Sequence, residues 1–595
     1  MTARLLAAAL VALVVARGGC ADAAAPAASA LWATLAALVA AALFARGAVP
    51  APRRLPALWL GAAWAGWSLL SIGWSIDRGA TLAGSSQLAA AVCCGLAIAA
   101  TISGQRRVFA WSAVLGALVA AAAALRQLLF GFSALRDELT AGSLAADTWT
   151  REVVAAGRVF GTMLAPDLLA GFLAPALLLA VALAISERGL LRWSALLAAA
   201  VIAAAFVATR SVGGAIALVL GAALWLLFSR AGSAPMDRLR PWLTAAVAIG
   251  VAIAAGWSRV AGLTHRFNER LVNQVTALRA ALESPLLGHG QDTFGALAPG
   301  LRENSEPLTR YAHGLLGQAA SDGGAIGFAL ALLLVVAAVW QAVRVLRADN
   351  TSALQHGAAA AVLAALAHGL LDYDLQFAEH QLMLWVCLAL AAPDRAAPEP
   401  SVPATRLRWP ARAALVAVAL ALALVCGWRA AAVTATRTTG ESDLCADIEA
   451  RDAATRWAPP NARLYRELAR SWLTCEARPE RLERALEWSG AAQAASPVDA
   501  ILRAEHAYVL AVAGKNDQAV AEAAAAVAAW PRVGRVQAYR GLVVARSGDV
   551  VTAAECYRRG QQLDPLDVVV KALADLLQQI APETLTAREA PATAP

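Results

Sequence analysis

Apolar runs of about 20 residues recur through the first 430 positions, and they constrain this chain more than any other feature. A run of that length crosses a bilayer as a helix, the one open-ended structure that satisfies its own backbone hydrogen bonds in hydrocarbon. Thirteen candidate spans can be marked, at about 3–17, 28–45, 56–74, 82–101, 108–129, 160–185, 190–208, 211–229, 241–256, 322–343, 354–371, 376–392 and 411–431. With 59% hydrophobic residues over 595 positions, the expected class is all-α. We read a polytopic transmembrane bundle of about 12–13 spans followed by a soluble helical part. The first run resembles a signal peptide, but Arg17 stands three before Cys20, where a lipobox needs an apolar residue, so we read a first span.

Arginine orients the bundle. The short loops after even-numbered spans carry Arg46, Arg53 and Arg54; Arg106 and Arg107; Arg188 and Arg192; Arg230, Arg238 and Arg240; Arg344 and Arg347; Arg406, Arg408 and Arg412. The positive-inside rule puts these loops in the cytoplasm. The loops after odd-numbered spans, and the C-terminal tail, are then outside. The net charge of +8 comes from these loops, which marks membrane orientation and not nucleic-acid binding. Trp64, Trp67, Trp74, Trp193 and Trp257 near span ends suit an interface belt.

After residue 432 the chain turns polar and repetitive. Pro497, Pro531 and Pro565 are 34 apart, as are Gly514 and Gly548, and Ala485, Ala519 and Ala553. A 34-residue period with small residues at helix crossings and Pro closing each pair is the tetratricopeptide pattern. Helix pairs are expected at about 461–495, 499–530 and 533–563, with a last helix near 566–580. The eight cysteines form no CxxC pair, which argues against zinc. Cys445 and Cys475 fall in the external part, where an oxidising compartment would permit a disulfide.

The polar interval 258–328 is where chemistry is expected. It holds three of the seven histidines, His265, His289 and His313, and six arginines, among them Arg270, Arg279 and Arg302. Ionisable residues at membrane helices are costly and therefore functional candidates. They gather on the external side: Arg158, Asp167, Arg210, Arg270, Arg279, His313, His368, Asp372 and Asp374. Arginine binds phosphate with a planar fork and keeps its charge, and histidine can take a hydroxyl proton near neutral pH. Several arginines and a histidine around one external site suit group transfer from a lipid pyrophosphate. Asp372-Tyr373-Asp374 is formally a DxD metal motif, but it sits in a tight hinge with no nucleotide fold around it, so no metal is expected. Pro285–Gly290 (PLLGHG) lacks the Gly-Lys-Ser/Thr ending of a phosphate loop. Spans 1–5 lack the acid chain of a proton-coupled pump.

Four segments resemble the O-antigen ligase / O-antigen polymerase superfamily of bacterial membrane glycosyltransferases. GRVFGTMLAPDLLAGFLAPALLLA (157–180) is similar to its Gly-Thr-Phe-Gly-Asn-Pro-Asn span opening, and TRSVGGAIALVLGAALWLL (209–227) to its Thr-x-Ser-Arg-Gly helix start. RLVNQVTALRAALESPLLGHGQDTF (270–294) with YAHGLLGQAASDGGAIGF (311–328) is similar to its loop block, and HGLLDYDLQ (368–376) to the helix that follows. The resemblance covers roughly residues 150–390. It departs at Val212, where the family has Arg, at Asp167 and at Gly314. The resemblance implies metal-independent glycan transfer from undecaprenyl pyrophosphate on the periplasmic face of the bacterial inner membrane, with no cofactor. His313 would be the base, with Arg270 and Arg210 as catalytic cations. Arg279, Arg158, Asp167, His368 and Asp372 would be substrate-binding. The acceptor would be lipid A–core, a second glycan (polymerase) or a protein; the loop block is most similar to ligases. Membrane lipids and a periplasmic protein held by the repeats are the expected partners, with no nucleic acid. A non-catalytic membrane-anchored repeat scaffold and a lipid flippase are the competing readings. The expected organisation is N-terminal transmembrane helices (1–150), a ligase-like core (151–392) with external loop 257–321, a linker and last span (393–432), and the repeat domain (440–580).

Overall fold

The computed structural model describes residues 26–45, 55–101, 103–140, 148–163, 165–228, 244, 263–302, 309–349, 351–392, 409–435, 445, 447–476 and 478–583. All regular structure among them is helical. The spans expected at 3–17 and, Thr244 aside, 241–256 lie outside the described residues, as do positions 257–262 and 303–308 of the central loop and most of the linker.

The membrane part runs α1 (Pro26–Phe44), α2 (Pro56–Leu70), α3 (Arg78–Ala99), α4 (Ser103–Arg126), α5 (Phe132–Thr140), α6 (Thr148–Ala155), α7 (Pro166–Ser186), α8 (Gly189–Thr209) and α9 (Val212–Phe228). It continues with α10 (Leu263–Glu283), α11 (Phe294–Leu301), α12 (Leu315–Arg347), α13 (Ala353–Leu371), α14 (Ala378–Leu390) and α15 (Trp409–Ala435). Among the described residues, seven helices are long and apolar enough to cross a membrane, as in a multi-pass membrane protein. Helix α7 is the axle, packed by α4, α8, α9 and α13 and buried on almost every side. Helices approach closely through small residues. A Cβ on Gly61 of α2 would sit 2.1 Å from the Trp385 ring of α14, and one on Gly357 of α13 would sit 2.2 Å from Ala182 of α7.

The charge pattern has a structural counterpart. Arg106 donates to Ala99 O (3.1 Å) and Ala392 O (2.8 Å), Arg412 to Phe44 O (3.0 Å), and Arg107 faces Glu187 at 3.9 Å. Those residues, with Arg188 and Arg192 at the start of α8 and Arg344 and Arg347 at the end of α12, lie at one end of the bundle. The central loop lies at the other.

There α12 breaks at Gly324 (φ 62°, ψ −158°) inside an apolar span. The freed backbone groups are taken up by PLLGHG: Ala325 N donates to Pro285 O (2.8 Å), Gly290 N to Asp322 O (2.9 Å) and His289 N to Ser321 O (3.2 Å). A Cβ on Gly288 would meet Asp322 O, and one on Gly324 would meet Leu286 O, each at 2.4 Å, so two glycines let the chains touch. With its amides donated inward, this turn is a joint and not an anion cradle.

Beyond α15 come α16 (Ile448–Trp457) and the pairs α17/α18 (Ala462–Thr474, Arg481–Ala495), α19/α20 (Ala500–Val512, Asn516–Ala529) and α21/α22 (Gly534–Arg546, Val550–Leu563), then α23 (Val568–Ile580). Ala485, Ala519 and Ala553 are fully buried at the crossings within the pairs. Cys445 and Cys475 form a disulfide, Cα atoms 5.4 Å apart, tying the entrance of this part to the end of α17. The pairs rest on the loop end of the bundle. A Cβ on Gly79 would meet Pro460 O at 2.2 Å, and one on Gly300 would meet the Trp530 indole at 2.9 Å.

Candidate functional site

Residues that are distant in the chain meet at the loop end. Helix α10 is amphipathic, and its inward face carries Arg270, Gln274 and Ala277 at i, i+4 and i+7. Arg270 Nη2 donates to Asp372 Oδ2 at 2.7 Å, just past the end of α13. His313 Nδ1 stands 3.3 Å from the other oxygen, Oδ1. Gln274 fixes the loop that presents His313: its Nε2 donates to Ala312 O (3.0 Å) and His313 O (2.7 Å). His313 is one of three non-glycine residues with positive φ (53°) among the described residues. Strain of this kind persists only where the surroundings impose it. The His313 ring also packs edge-on to Tyr373, centroids 4.4 Å apart.

Electrostatics follow from the packing. Burial alone would push the Asp372 carboxyl up, but Arg270 and then His313 override it and hold the carboxyl well below the usual carboxylate range. Asp372 is therefore a fixed anion between two groups that can act on a ligand. Arg270, facing Asp372 first and then Asp167 and Asp374, has its own pKa raised. Burial, followed by the Asp372 charge, pushes the Tyr373 phenol up, so it stays neutral. Part of the Arg270 and His313 side chains remains open, at 31% and 21% exposure, whereas Asp372 is buried.

A second ring supports this centre. His368 Nδ1 hydrogen-bonds Asp374 Oδ2, both buried. A Cβ on Gly213 at the start of α9 would meet His368 Nε2 at 3.3 Å and Arg270 Nη1 at 4.0 Å. Arg158 is fully buried, donating to Thr209 O (3.1 Å) and Asp167 Oδ1 (3.0 Å), and Ser211 Oγ donates to the same oxygen (2.5 Å). This knot staples the start of α7 to the α8–α9 turn. Arg210, in left-handed conformation at the end of α8, is exposed and donates to Ala156 O (2.9 Å). Arg279 donates to Leu301 O (3.1 Å) and ties α10 to α11. Of the residues singled out from sequence, Arg270, His313 and Asp372 converge. Asp167, Arg158 and His368 stand behind them, while Arg279 and Arg210 bond backbone carbonyls further out.

Sequence reasoning passed over Gln274, Asp374 as a partner of His368, and the buried neighbours Glu379 and His380. His380 Nε2 contacts Leu168 O at 2.8 Å, and its Nδ1 stands 3.3 Å from Glu379. The signal was present: Glu379 and His380 are adjacent ionisable residues in an apolar run.

His368, Asp372 and Asp374 bring their ligand atoms within 4.8 Å of one another. This donor set is a poor match for a divalent ion, because the Arg270 guanidinium already faces Asp372 and His368 is committed to Asp374. No protein-family model matches the chain, and no curated protein matches it.

Proposed function

We propose that this chain is a membrane glycosyltransferase of the O-antigen ligase kind, moving a glycan from undecaprenyl pyrophosphate to an acceptor hydroxyl without a metal. One observation carries the reading: Arg270, Asp372 and His313, from three separate segments, meet at one end of a helical bundle, partly open and around a fixed anion. A cation and a potential base side by side are what transfer from a pyrophosphate needs.

In this mechanism the acceptor oxygen attacks the anomeric carbon of the donor sugar. The bond from that carbon to the pyrophosphate oxygen breaks, and the electron pair leaves with the lipid pyrophosphate. Its charge is met by Arg270. The hydroxyl proton passes to His313, which Asp372 orients. The site lies at the end opposite the basic loops, which corresponds to the periplasmic face of the bacterial inner membrane. The Cys445–Cys475 disulfide favours the same side, since such bonds persist in oxidising compartments. We read the 34-residue helix pairs as tetratricopeptide repeats that guide an acceptor or a partner protein over the site.

The test is transfer by purified protein from an undecaprenyl-pyrophosphate glycan, with chelator present. Lipid A–core, a second donor molecule and a periplasmic protein would be offered as acceptors. Transfer to one of them supports the enzyme reading and names the ligase, polymerase or protein-transferase subclass. No transfer to any of the three overturns it in favour of a scaffold or flippase.

A further inference from the structure

The outward face of α10 is exposed. Leu271, Val275, Leu278 and Leu282 recur at i, i+4, i+7 and i+11, forming one stripe, and they are 41–69% exposed. Leu286 and Leu287 extend the stripe beyond the helix, at 60% and 39%. The opposite face, with Asn273, Thr276, Ala277 and Ala280, is buried, and Arg270 and Gln274 lie on the flank between the two. An exposed run of six large apolar residues on a polar loop is not expected to face water.

Two observations say what covers it. The stripe runs on toward the lipid-facing side of the bundle: the Leu286 backbone lies against Gly324, and one turn further along α12 begins the exposed series Phe328, Leu332, Val336 and Val339. Its end is also flanked by tryptophans at the level where α2 stops. Trp74 Nε1 donates to Leu287 O (3.3 Å), Trp67 Nε1 donates to Gly323 O (3.1 Å), and the two rings stand 5.2 Å apart. Paired indoles at a span end mark the boundary between headgroups and acyl chains.

We infer that α10 is an interfacial helix, its apolar stripe seated on the acyl chains of the bilayer leaflet at the loop end and its polar face on the bundle. The membrane surface then sets the height of Arg270, which stands on the flank of the same helix. This inference needs only the membrane reading of the spans and stands whether or not the chain transfers glycans.

The full chain would carry single nitroxide labels at Val275→Cys, Leu278→Cys or Leu282→Cys in a Cys20→Ser background, in lipid nanodiscs. The native free cysteines in the described residues are buried. Power saturation would compare access of oxygen, which partitions into lipid, with that of a polar nickel chelate. Val336→Cys on a span and Lys515→Cys on the repeats set the lipid and water limits. The expected result is an oxygen-to-nickel ratio at the three stripe positions closer to that of Val336→Cys. A ratio matching Lys515→Cys overturns the inference. Protection from both reagents, with dipolar broadening between labels, also overturns it by showing a second copy on the stripe.

Discussion

Gly171 on α7 gives a prediction that rests on geometry alone. A Cβ built there would stand 2.0 Å from Asp374 Oδ2 and 2.6 Å from His368 Nδ1. Both groups are buried and bonded to each other, so neither can move away without loss. Overpacking a tight core costs about 1–3 kcal/mol. Breaking a buried charge-assisted hydrogen bond adds about 1.5–3 kcal/mol. Gly171→Ala should therefore destabilise by roughly 2.5–6 kcal/mol. At ~2 °C per kcal/mol for a domain of this size, that is a fall of about 5–12 °C in Tm. Gly66, on α2, has nothing within 4 Å of its Cβ position. Gly66→Ala should leave Tm unchanged or raise it, because Ala is favoured in helices by up to ~1 kcal/mol. Melting of both variants in the same detergent, followed by intrinsic fluorescence, makes the comparison. A Gly171→Ala protein melting within 1 °C of wild type would refute the packing of α7 on the His368–Asp374 pair.

Three further outcomes follow from other parts of the chain. Asp499 caps α19 through Ile501 N and Leu502 N, but burial pushes its carboxyl from 3.8 up to about 6. A raised carboxyl costs nothing below its unfolded pKa and its full cost above its folded one. Asp499→Asn keeps the cap and should stabilise the repeats by up to ~3 kcal/mol at pH 7, with the gain vanishing below pH ~4; a pH-independent effect would contradict the shift. The Cys445–Cys475 bond spans 30 residues. Chain entropy assigns its closure about 3–4 kcal/mol, so reductant should lower the repeat transition selectively, and denatured alkylation should find both thiols blocked beforehand. Gln274→Leu removes the clamp on the Ala312 and His313 carbonyls. It should lower the rate of transfer more than donor affinity, and Gln274→Asn should not restore it, whereas a merely structural role would show in Tm alone.

The fold was legible because membrane helices write themselves as apolar length and repeats as period. Helices α8 and α13 fall within a residue or so of the runs that announced them, α7 starts six residues later than its run, and each helix pair beyond α15 matches its expected interval. What periodicity misses is a helix that starts before its apolar part. Helix α12 begins at Leu315, seven residues ahead of the apolar run at 322, because its first turns lie in the loop and it breaks at Gly324. The centre of the site was legible for a different reason. Arg270, His313 and Asp372 are polar residues next to apolar spans, where their cost demands a purpose. Side-chain direction was not legible. Arg210 looked equivalent to Arg270 in the sequence, but a left-handed turn aims it at Ala156 O. Gln274 carried no motif, and only its place one turn beyond Arg270 on the same face would have drawn attention to it.

The central claim is that Arg270 and His313 act as one unit around Asp372 in glycan transfer. The direct measurement is a double-mutant cycle on the transfer rate, with Arg270→Ala, His313→Ala and the combined variant, each shown to be folded by its melt. Residues of one catalytic unit are strongly non-additive. The account predicts that each single variant loses of the order of 10²-fold or more, and that the double variant is little worse than the poorer single. Losses that multiply would mean two independent roles, and wild-type rates in either folded single variant would place the chemistry elsewhere.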